Sequence, residues 1–107
     1  MALGATLALL FLRGQRRPIL GIVHGVAGAI GFCLLLVALQ GPRRGDAMGV
    51  GSFGTAASVL FCIALVFGLL IAVMSRRAPR VTGLLIATHA GLAIIAFVLF
   101  LAWTSIG

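Results

Sequence analysis

Charge is what this chain lacks. Of its 107 residues, eight are Arg, none is Lys, and Asp46 is the single acid. A soluble domain carries about a quarter of its residues as charged side chains. A chain this short also cannot enclose an apolar fraction of 63 %. These shortages exclude a soluble globular enzyme, and the hydrophobicity excludes a disordered chain. No acid lies inside an apolar run, so the membrane carboxylate on which proton-coupled carriers rely is missing too. Cys33 and Cys62 stand singly, without metal-ligand spacing, and read as small apolar fillers.

What is present is a set of long apolar runs separated by arginine. The net charge of +7 gathers in three clusters: Arg13, Arg16 and Arg17; Arg43 and Arg44; Arg76, Arg77 and Arg80. Basic residues that bind nucleic acid line one face among polar neighbours. Here they flank apolar runs, which is the pattern of membrane loops. The expectation is no nucleic-acid partner and a lipid bilayer as solvent.

A span needs about 20 apolar residues in helical form. Residues 19–39, 50–74 and 81–104 qualify, and Met1 to Leu12 reaches span length if its helix continues to Arg17. A signal peptide competes for that first run, but no basic segment precedes it. The expectation is an all-α membrane protein, a single transmembrane domain over 1–107. It has four helices at about 1–17, 19–39, 50–74 and 81–104. Pro18 and Pro79 sit at helix starts, where the missing N–H is tolerated. Gly41-Pro42 closes the second helix. The first and third loops share six Arg, which by the positive-inside rule lie in the cytoplasm. That puts both termini outside, in what reads as a bacterial cytoplasmic membrane.

The two histidines of the chain anchor an internal repeat. His24 opens HGVAGAIGFCL, ending at Leu34, and His89 opens HAGLAIIAFVL, ending at Leu99. Small residues follow each histidine at +4 and +7: Gly28 and Gly31 in one, Ala93 and Ala96 in the other. At 100° per residue these positions fall within about 40° of the histidine, on its own face. Gly21 extends the stripe on the second helix, so each imidazole overlooks a nearly bare shelf. The expected architecture is a four-helix transmembrane bundle built from two two-helix repeats.

An ionisable side chain inside a span marks a functional site by default. Neutral imidazole is a good iron ligand, and two facing helices can supply both axial positions of a haem. A flat macrocycle needs bare helix surfaces beside it, which the glycines and alanines provide. Through His24 with Gly21, Gly28 and Gly31, and His89 with Ala93 and Ala96, the chain resembles the bis-histidine b-type membrane cytochromes. The resemblance covers the second and fourth helices and is one of architecture. It implies one haem b held between His24 and His89, with Arg17 and Arg80 placed to pair with propionates. Covalent c-type attachment is excluded, because no Cys-x-x-Cys-His occurs.

The expected role is a non-enzymatic electron-transfer subunit of a larger respiratory or redox complex, exchanging electrons with a partner or with quinone. Two other classes stand beside it. One is a structural or accessory subunit of a respiratory or photosynthetic complex, whose histidines serve packing or ligate a pigment. The other is a small transporter, disfavoured by the missing carboxylate. Small residues at these spacings are also how lipid-embedded helices pack. Thr88 beside His89 is expected to bond its own backbone.

Overall fold

A computed structural model describes residues 1–106 and is all-α, with no strand among them. Four helices follow one another: α1 (Ala2–Leu12), α2 (Pro18–Leu39), α3 (Phe53–Met74) and α4 (Pro79–Ile106). A one-turn 3-10 helix, Asp46–Met48, lies between α2 and α3. The long helices have 22, 22 and 28 residues. A rise of about 1.5 Å per residue gives each of them 33 Å or more, enough for a hydrocarbon core of about 30 Å. All three combine that length with membrane-like hydropathy, making this an integral membrane protein.

The first helix departs from expectation. It ends at Leu12 rather than reaching Arg17, and its 11 residues cover only about 16 Å. The reason is Gly14. Its φ of 70° is left-handed, and the Gly14 N–H donates to Phe11 O while the Gln15 N–H donates to Leu10 O. That is a Schellman stop, which a glycine one residue beyond the cap encodes. The third helix likewise starts at Phe53 instead of Val50. Gly45 and Gly49 both take positive φ around the 3-10 turn, and the Val50 N–H closes back onto Gly45 O at 2.9 Å. The fourth starts at Pro79, two residues earlier than expected, and runs to Ile106.

Packing is uneven. The principal seam joins α3 to α4, α2 leans on α3, and α1 rests on α2. Gly54, Ala57, Ser58 and Ala64 of α3 are buried, as are Thr82, Ala96 and Trp103 of α4. These are mostly small residues, which let backbones approach where lipid offers no hydrophobic drive to associate. Trp103 lies near the C-terminal end of α4, at the depth of the membrane interface where such rings gather. It is nevertheless only 5 % exposed, its ring filling the notch at Gly54. A Cβ at Gly54 would lie 2.7 Å from Trp103 Cε2 and 2.9 Å from Leu39 Cδ2, so α2, α3 and α4 converge there. On α2 only Leu35 is buried.

Two loop contacts set the relative placement of the helix ends. Arg16 donates to Ser75 O at 2.8 Å, joining the first loop to the third. Arg44 donates to Thr104 O at 3.0 Å, joining the second loop to the end of α4. The chain therefore runs back and forth along one long axis, with extents of 47 × 20 × 19 Å.

Candidate metal centre

His24 lies in the second turn of α2 and His89 in the third turn of α4. The fold brings them together. Their ring centres are 6.0 Å apart and their planes meet at 82°. The helices that carry them do not form one of the chain's main helix–helix seams. Both side chains are half-buried.

Each ring rests in a notch made by a glycine of the preceding helix. A Cβ at Gly4 of α1 would lie 3.2 Å from His24 Cε1 and 3.7 Å from its Nε2. A Cβ at Gly68 of α3 would lie 3.3 Å from His89 Cε1 and 3.7 Å from its Nδ1. Neither glycine stood out in the sequence. The signal was there: each precedes its histidine by almost the same interval, 20 residues for Gly4 and 21 for Gly68.

The two imidazoles differ in their hydrogen bonds. His89 Nδ1 lies 2.7 Å from Ala64 O. A carbonyl only accepts, so Nδ1 holds the proton and the Nε2 lone pair is left for a ligand. Such a second bond is how metal-binding histidines are oriented. His24 makes no side-chain hydrogen bond among the described residues. In a hydrocarbon setting that leaves a polar ring without compensation.

The remaining expected site residues divide. Gly21 and Gly31 face open space, where a Cβ would meet nothing within 4 Å. Gly28 lies over Leu65 of α3, whose Cδ2 would be 3.5 Å from an added Cβ. Ala93 is half-buried, but Ala96 is fully buried and presents no surface to a ligand. The α4 shelf is thus bare only near His89, because the face carrying Ala96 is turned into the chain's own packing. Arg17 and Arg80 are exposed at the loops, and their side chains form no hydrogen bond or ion pair among the described residues.

The donor set narrows the chemistry. No group of three or more His, Cys, Asp or Glu converges among the described residues. Protein-only zinc sites take three or four protein ligands, and the two imidazoles alone fall short of that number. Cys33 and Cys62 are free and exposed on separate helices. The Thr88 hydroxyl donates to Leu84 O at 3.0 Å, the local backbone bond expected of it. No family model, curated protein or solved structure matches this chain.

Proposed function

We propose that this protein is a membrane electron-transfer subunit of a larger redox complex, holding one haem b between His24 and His89. The observation that carries the reading is the 6.0 Å separation of the two rings. With metal–imidazole bonds of about 2 Å, His24 and His89 at this separation would be close enough to hold one metal ion between them. The bare positions at Gly21 and Gly31 and the half-buried Ala93 would border the macrocycle, with Gly28 beside them. Arg17 and Arg80 lie seven and nine residues before their histidines and would meet the propionates. The haem supplies reversible one-electron chemistry. The chain's own part is to hold the two rings, fix the His89 tautomer through Ala64 O, and exclude water.

The architecture in this reading is a four-helix bundle of two helix pairs, α1–α2 and α3–α4. The matched glycine notches, Gly4 under His24 and Gly68 under His89, support that pairing. By the positive-inside rule the six-Arg side faces the cytoplasm of a bacterial membrane and the end of α4 lies outside, whereas α1, too short to cross, leaves the N-terminus short of the outer face. The bond from Arg16 to Ser75 O supports placing the first and third loops on one side. Neighbouring subunits and quinone are the partners this role requires.

One observation favours a structural role instead. His89 is already satisfied by Ala64 O and seated on Gly68, as a helix-to-helix tie would be. The purified protein separates the two readings. Sharp α and Soret bands on reduction, with one iron per chain, are the expected result. Chlorophyll-like bands would assign the histidines to a pigment, and a colourless, metal-free protein would leave them to packing.

A further inference from the structure

A second surface lies between α2 and α4, away from the histidines. It is a half-enclosed groove of about 500 Å³, lined by Gly31, Leu35, Ala38, Arg44, Phe100 and Trp103 among others. That volume lies in the range of about 300–1,000 Å³ typical of small-molecule sites. Gly31, Leu35 and Ala38 follow one another on a single face of α2, and Phe100 and Trp103 do the same on α4. The walls are therefore apolar, and the charged residue among them is Arg44.

Arg44 is held in place. Its guanidinium donates to Thr104 O at 3.0 Å and lies 5.4 Å from the centre of the Trp103 ring, which is itself locked against Gly54. The charge of neighbouring Arg43 is met by Asp46 at 3.0 Å, whereas Arg44 has no ion pair among the described residues. A fixed cation thus stands at the rim of an apolar groove, at the end of membrane-length helices where lipid headgroups lie. Trp103 is fourteen residues beyond His89, about 21 Å along the axis, so this rim is remote from the histidine pair.

The complement of this surface is an amphiphile with an anionic head and a long apolar tail. We propose that the groove binds one anionic phospholipid, its phosphate on Arg44 and an acyl chain along the Gly31–Ala38 face of α2. Arginine suits phosphate because its planar fork makes paired, charge-assisted hydrogen bonds. The phosphate end of the site, at Arg44 and Trp103, is separate from the histidines, and Gly31 is the one position it shares with the haem reading.

Native mass spectrometry of the full chain tests this, with phosphatidylglycerol and phosphatidylcholine of identical acyl chains offered in turn. The expected result is one phosphatidylglycerol retained per chain in preference to phosphatidylcholine. Arg44→Gln should weaken that retention on the order of fivefold, the worth of one interfacial cation. Because Arg44 also ties down Thr104, Ala38→Phe provides the second arm: it fills the groove with the cation intact and should cause a comparable loss. Equal retention of the two lipids, or unchanged retention in Ala38→Phe, would overturn the proposal. So would one-for-one displacement of phosphatidylglycerol by a quinone.

Discussion

The imidazole of His24 stands nearly perpendicular to that of His89, at 82° with ring centres 6.0 Å apart, although the two belong to different helices. Each ring lies over a glycine of the preceding helix. Gly4 backs the first and Gly68 the second, and Ala64 O fixes the proton of His89.

His24→Ala and His89→Ala should each abolish haem retention, seen as loss of the Soret and α bands in purified protein. The two variants should differ once haem is absent. His89→Ala also deletes the bond to Ala64 O, worth about 0.5–1.5 kcal/mol between membrane helices. His24→Ala deletes no such bond. Thermal unfolding of the two apoproteins checks this, with His89→Ala the less stable. A normal low-spin spectrum in either variant would rule out a shared site.

The ring angle has its own spectroscopic signature. Near-perpendicular axial imidazoles give a ferric low-spin resonance dominated by one large g-value, whereas parallel rings give a rhombic one. Electron paramagnetic resonance of the oxidised protein should show the first kind. Gly4→Ala and Gly68→Ala each place a methyl group 3.2–3.3 Å from a ring carbon, so the rings must shift. Both variants should keep haem and move that g-value. A signal unchanged in both would mean that the notches do not set the rings.

Gly54→Ala should destabilise the fold by about 1–3 kcal/mol, the usual cost of overpacking a tight contact. The obstacle is the rigid Trp103 ring at 2.7 Å and Leu39 at 2.9 Å, so three helices must part to admit one methyl. Unfolding in detergent, followed by Trp103 fluorescence, reports the loss. Gly25→Ala, where an added Cβ meets nothing within 4 Å, serves as the neutral control.

Gly14→Ala should cost about 1 kcal/mol, because an L side chain is strained at its φ of 70°. The penalty falls on the last turn of α1. Amide exchange there should quicken around Gln15, whose N–H closes the stop onto Leu10 O. Exchange in α3 should stay as in the parent protein.

Much of the fold was legible in the sequence. Three apolar runs with proline at two of their starts became α2, α3 and α4 to within a few residues. The rule that failed was length for α1: its apolar run suggested a helix to Arg17, but Gly14 set the stop at Leu12. For the candidate site, the repeat singled out both histidines, which the fold brings together, and Gly21 and Gly31, which face open space. It could not show that Ala96 is buried or that Gly4 and Gly68 seat the rings.

Composition and order along the chain were enough to establish a membrane solvent, the helical class and the clustering of arginine in loops. These follow from hydropathy, a local property of each segment. The tertiary structure alone decided which face of each helix meets which neighbour: Trp103 into Gly54, Ala96 into the chain's own packing, His24 toward His89. In lipid, every side of an apolar helix is equally well solvated, so hydropathy does not choose the rotation. Steric fit between helices far apart in the chain does.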